Sequence, residues 1–93
     1  MDEATDTLTL EELCSACALE RDWLVIRVTD GLIPAEGGSA TEWRFTTTTL
    51  TRVRRMREIE RTYEAAPELA ALVADMLEQM DDLRARLKRA GLD

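Results

Sequence analysis

Two cysteines three positions apart, in Cys14-Ser15-Ala16-Cys17, are the only thiols of this 93-residue chain. C-x-x-C is the spacing that redox pairs and zinc sites use. A redox pair belongs at a helix N-terminus after a strand, where the thiolate is stabilised, whereas here it falls in the second half of a helix that begins near Leu10. A structural zinc wants four ligands, which only two chains together could supply as thiolates. The simpler reading makes Cys17 a small apolar core residue with Cys14 reduced beside it. Histidine is absent from the sequence. That removes Ser-His and Cys-His nucleophile pairs and every His-containing zinc site. Gly37-Gly38 lacks the lysine and the strand-to-helix context of a phosphate-cradling loop. The carboxylate pairs Glu11-Glu12 and Asp81-Asp82 read as capping and solvation groups. No catalytic residue, metal ligand set or cofactor site is therefore assigned, and a protein that is not an enzyme is expected.

Charge decides more than any motif. The formal net charge is -7, and from Met1 to Thr46 ten acidic residues face only Arg21, Arg27 and Arg44, while nine acids and nine bases cancel beyond Thr47. The N-terminal half thus carries the whole excess. Binding to nucleic acid draws most of its affinity from Lys and Arg neutralising phosphates, so this half should be repelled by DNA at ordinary salt. Asp2, Glu3 and Asp6 stand where a secretory segment would be basic and then apolar, and no apolar run approaches membrane-spanning length, which predicts a cytoplasmic protein of bacterial type.

The elements that position these charges are short. Residues 1–7 read as a flexible arm with little to bury. Thr9-Leu10-Glu11-Glu12 matches a capping box, which starts a first helix over Leu10 to Cys17 with Leu10, Leu13, Ala16 and Cys17 on its apolar face. Leu19 should plug a turn at Ala18-Leu19. A second helix then runs from about Glu20 to Asp30, with Leu24, Val25 and Val28 inward, Trp23 at the edge of the stripe and Gly31 as its left-handed stop. Two short helices about a tight turn make a helix-turn-helix candidate. Leu32 to Pro34 and Thr41 to Phe45, joined by the glycine-rich Ala35 to Ala40, predict a small β-hairpin wing with Trp43 and Phe45 on its buried face.

A third helix is expected from Thr46 or Thr47 to Tyr63, with Leu50, Val53, Met56, Ile59 and Tyr63 as its core face. Its Arg52, Arg54, Arg55, Arg57 and Arg61 alternate with Glu58, Glu60 and Glu64, which reads as a solvated face laced with ion pairs. Pro67 fits the first turn of a fourth helix, in which Leu69, Val73, Met76, Met80, Leu83 and Leu87 are spaced 4, 3, 4, 3, 4. That heptad seam predicts a homodimer through the C-terminal helix, residues 67–90, because three short helices and a wing offer little surface to cover it.

The order helix, turn, helix, DGLIP, glycine-rich wing, EWRF and the arginine-studded LTRVRRMREI is similar to the MerR-type winged helix-turn-helix, with residues 8–64 as that unit. The fold class expected is mainly α: a MerR-like winged helix-turn-helix with a small β-hairpin wing and a C-terminal amphipathic, coiled-coil helix. Where MerR proteins carry an arginine followed by two tyrosines ahead of the turn, this sequence has Val25, Ile26 and Arg27. TLTLEELCSACAL, ERDWL, GLIPAEG, EWRF, VRRMREIE and the tail ending DDLRARL together resemble the CbpM chaperone-modulator family across nearly the whole chain. The resemblance implies a non-enzymatic adaptor that binds the J-domain of CbpA, a DnaJ-type co-chaperone, and restrains its stimulation of DnaK and its DNA binding. J-domains present a basic helix, which an acidic, partly apolar surface would complement. The expected contact is on the second helix and the wing, with Asp22, Asp30, Glu36 and Glu42 supplying charge and Trp23 or Ile26 an anchor. The competing expectation is a MerR-like DNA-binding regulator using the Arg52 to Arg61 helix.

Overall fold

The computed structural model describes residues 7–92, so the expected arm at residues 1–7 lies outside the described residues except for Thr7. Four helices follow one another, α1 (Leu10–Cys17), α2 (Arg21–Thr29), α3 (Thr47–Tyr63) and α4 (Pro67–Arg89), with a 3-10 turn at Ala40–Glu42. No helix among the described residues is long and apolar enough to cross a membrane.

Local chemistry sets the helix ends. The Thr9 hydroxyl accepts from the Glu12 amide at 3.1 Å, and the Thr9 amide donates to Glu12 Oε1 at 2.8 Å, so both halves of the capping box close. α1 stops on Ala18, which sits in the left-handed region at φ 55° although it is not glycine. The Leu19 amide then donates back to the Cys14 carbonyl at 2.9 Å, and the half-buried Leu19 packs on the core. α2 ends in the same manner with the residue better suited to it. Gly31 takes φ 80°, its amide reaching the Val28 carbonyl and the Leu32 amide the Arg27 carbonyl. This satisfies the last carbonyls of α2 and sends the chain outward toward Ile33.

The wing is slighter than its sequence suggests. The expected hairpin is not confirmed: Glu36 and Arg44 form one isolated antiparallel bridge, and part of the expected second strand is the 3-10 turn instead. Gly37 allows this tight return at φ 112°, because a Cβ there would lie 2.5 Å from the Glu42 carbonyl oxygen. Phe45 exchanges both backbone hydrogen bonds with Leu8, at 2.8 Å each, and so ties the start of the described chain beneath α3. Trp43 meets Phe45 edge to face, with Phe45 fully buried and Trp43 half-buried.

The core is Phe45, Leu10, Leu13, Leu24, Ile33, Val53 and Met56, drawn from α1, α2, the wing and α3. Two expected core residues lie outside it. Ala16 is exposed because it is off the α1 stripe of Leu10, Leu13 and Cys17. Tyr63 is 74% exposed, being the last residue of α3, where the chain reverses through Glu64 in the left-handed conformation. α4 packs back along α3 with Ala70, Ala71 and Ala74 buried, while Leu69, Leu72, Met76, Met80, Leu83 and Leu87 stay exposed and Val73 is half-buried. The heptad stripe therefore does not serve the chain's own core. Alanines do that work because they let two helix backbones approach closely.

Candidate functional site

Three of the expected contact residues share one face. Asp22 and Ile26 on α2 and Asp30 at its C-cap are spaced four residues apart, opposite Leu24, and all three are exposed. Ile26 is 54% exposed, an aliphatic side chain between two carboxylates. Glu36 and Glu42 are exposed on the wing, one at the bridge and the other in the 3-10 turn. The structure thus places the five in two groups, one on a helix face and one at the wing.

Trp23 is placed differently, half-buried against α3. Its indole Nε1–H donates to Glu60 Oε1 at 3.1 Å. Arg27 donates to both oxygens of the same carboxylate, from Nε at 2.9 Å and Nη2 at 2.7 Å, and from Nη1 to the Trp23 carbonyl at 3.1 Å. Its guanidinium carbon lies 4.1 Å from the Trp23 ring centroid. The Arg27 and Glu60 side chains are only 12% and 10% exposed. The indole edge and one ring face of Trp23 are thus engaged within the chain.

The arginines of α3 form the expected solvated face only in part, with Arg54 and Arg61 exposed and Arg52 drawn inward. Arg52 is buried, donating from Nε to the Leu32 carbonyl at 3.0 Å and from Nη1 to Asp75 at 2.7 Å and Glu78 at 2.9 Å. Burial pulls its pKa down, but the hydrogen bonds it donates to Glu78 and Asp75 outweigh that and hold it above the ordinary arginine value. Arg55 pairs with Asp81 at 2.7 Å. The ion pairs therefore run between helices rather than along α3, whose Glu58 instead accepts from Thr62. Arg57 lies over the Trp23 ring at 5.7 Å, which leaves Arg54 and Arg61 as the exposed α3 arginines without an ion pair among the described residues. A phosphate-reading stripe needs several unengaged cations side by side.

Cys14 and Cys17 are free and half-buried. Burial, followed by the charge of Glu11, pushes the Cys14 thiol above its ordinary pKa, the reverse of the activation a redox pair needs. Among the described residues no group of three or more His, Cys, Asp or Glu is placed to hold a metal ion.

Sequence reasoning missed the Arg27–Glu60–Trp23 clip and the double engagement of Arg52. The first left a faint trace: Arg27 is the one base within α2 after its first residue, set among Leu24, Val25, Ile26 and Val28. Such a charge needs a buried partner from elsewhere.

A family described as MerR HTH family regulatory protein matches residues 8–90. The chaperone modulatory proteins CbpM of Coxiella burnetii strains Dugway 5J108-111 and RSA 331 / Henzerling II are each 30% identical over 86 residues, covering 92% of this chain and 81% of the relative. No solved structure matches the chain.

Proposed function

The chain belongs to the CbpM family of chaperone modulatory proteins, on a MerR-type helix-turn-helix scaffold, and from that premise we propose that it is a non-enzymatic modulator that binds the J-domain of a CbpA- or DnaJ-like co-chaperone. Bound there, it restrains the co-chaperone's stimulation of DnaK and its DNA binding. The observation that carries the reading is the outward face of α2. On a DNA-reading scaffold that face would meet phosphates, yet here it offers Asp22 and Asp30 about Ile26. Carboxylates repel a polyphosphate and attract a basic protein helix. Glu36 and Glu42 extend the same charge onto the wing, and Trp23 holds the face in place through Glu60.

The heptad stripe of α4 supports a second element of the proposal, a homodimer seam of Leu69, Val73, Met76, Met80, Leu83 and Leu87. Residues 8–64 then form the partner-binding unit and 67–90 the dimerisation helix. An apolar stripe of this length left in water is the usual mark of an association surface.

The test is a titration of the full chain with an isolated J-domain at low and moderate salt. Wild type should bind, and Asp22→Lys and Glu42→Lys should each weaken binding mainly by slowing association, with the loss shrinking as salt rises. A mobility-shift assay on duplex DNA addresses the MerR-like regulator in the same buffers. Tight duplex binding at moderate salt, with no J-domain binding, would replace the chaperone reading by the regulatory one.

A further inference from the structure

We infer that a groove bounded by the end of α2, the start of α3 and the flank of α4 seats a basic amphipathic helix of the partner, an inference that rests on the J-domain reading above. The groove encloses about 600 Å³, enough for two or three inserted side chains. One wall is apolar, built from Val28, Leu32, Pro34 and Trp43. Its mouth is open at Gly31, where an added Cβ would meet nothing within 4 Å.

The part of the lining supplied by α4 is ionic and carries the assignment. Asp75 and Glu78 share a single nitrogen of Arg52, so two carboxylates are balanced by one guanidinium and a negative charge is left over. Their side chains are 53% and 38% exposed, against 11% for Arg52. The acids therefore face the groove's water while the base sits beneath them. An incoming lysine or arginine meets carboxylates first, and its aliphatic neighbours on the same helix meet the apolar wall. That pairing of surfaces is what a basic amphipathic helix requires.

Beyond Pro34 and Ala35 a smaller groove of about 250 Å³ continues past Glu36 and Arg44, whose charges cancel, so selectivity for a cation resides at the α4 end. By helical spacing Asp75 and Glu78 lie on a different flank of α4 from Leu69, Met76 and Met80. Occupying the groove therefore leaves the seam uncovered. The acids of the α2 outward face lie elsewhere and act by speeding encounter, whereas contacts inside the groove set how long the complex lasts.

Thr48 gives a clean test. It lines the groove, is exposed, and sits in the first turn of α3. With the full chain and an isolated J-domain as probe, Thr48→Arg should weaken binding about fivefold through faster dissociation, and Thr48→Glu should tighten it by a similar factor. An acid is favoured and a base disfavoured in the first turn of a helix, so circular dichroism and urea unfolding check the fold of each variant and the assignment is read from the dissociation rate of folded protein. If wild type binds and both variants match it, the groove is not the seat and this inference falls while the J-domain reading stands. Equal weakening by both would show an apolar occupant and overturn the basic assignment. Altered self-association without altered J-domain binding would give the groove to the basic end of another copy's α4, which also overturns it. A wild type that binds no J-domain sinks the reading on which the inference rests.

Discussion

Phe45 and Ala74 are both fully buried, yet they belong to contacts of different kinds. Around Phe45, the helix-turn-helix half closes on large side chains, Leu10, Leu13, Leu24 and Ile33, each of which contributes on the order of 2–3 kcal/mol by leaving water. Around Ala74, α4 meets α3 through alanines that contribute far less each. Ion pairs add to that contact: Arg52 to Asp75 and Glu78, and Arg55 to Asp81. Large side chains thus dominate one contact, whereas small side chains and ion pairs share the other. Ion pairs with half-exposed acids are screened by salt, so the α4 contact should loosen as ionic strength rises while the other region does not respond.

The largest expected effect comes from removing volume. Phe45→Ala should cost about 4 kcal/mol in urea unfolding, with little dependence on salt. Glu60→Gln comes next and probes a buried charge pair within the apolar half. It leaves Arg27 buried without a counter-charge, and a loss of about 3 kcal/mol by the same measurement is expected. A loss under about 1 kcal/mol would mean that water reaches the Arg27 guanidinium and that the two regions are less distinct than drawn. For the α4 contact, Arg52→Met should cost about 2 kcal/mol, because the Leu32 carbonyl loses its donor while Asp75 and Glu78 regain water. The salt dependence of wild-type unfolding should shrink in that variant. The smallest effect is a gain. Ala18→Gly relieves a non-glycine residue at φ 55° and should raise stability by about 1 kcal/mol without touching either contact.

Much of the local structure was legible in the residues. Thr9 and Glu12 announced the start of α1, Gly31 the end of α2, and Pro67 the start of α4, since each acts through its own backbone or a neighbour three or four residues away. Asp22, Ile26 and Asp30 could be put on one exposed face from helical spacing alone. The arginines of α3 were not legible in the same way. Arg52 and Arg54 are two positions apart with similar acidic company in sequence, yet one is buried and doubly paired and the other exposed. The positions of α4 and of the Leu32 carbonyl distinguish them. The wing also fell short of its pattern, since the alternation from Glu42 to Phe45 does not reveal that a 3-10 turn will use the first of those residues.

What the sequence determined unaided is where helices begin and end, the anionic character of the N-terminal half, and the absence of histidine chemistry, all set by neighbouring residues or by composition. Tertiary structure decided which of two apolar stripes on α4 turns inward and which carboxylates Arg27 and Arg52 find. Hydrophobicity ranks the leucine and methionine stripe first, but helix approach depends on side-chain size, and there the alanines prevail. A charge's partner is likewise fixed by distance in space, which the order of residues along a chain does not contain.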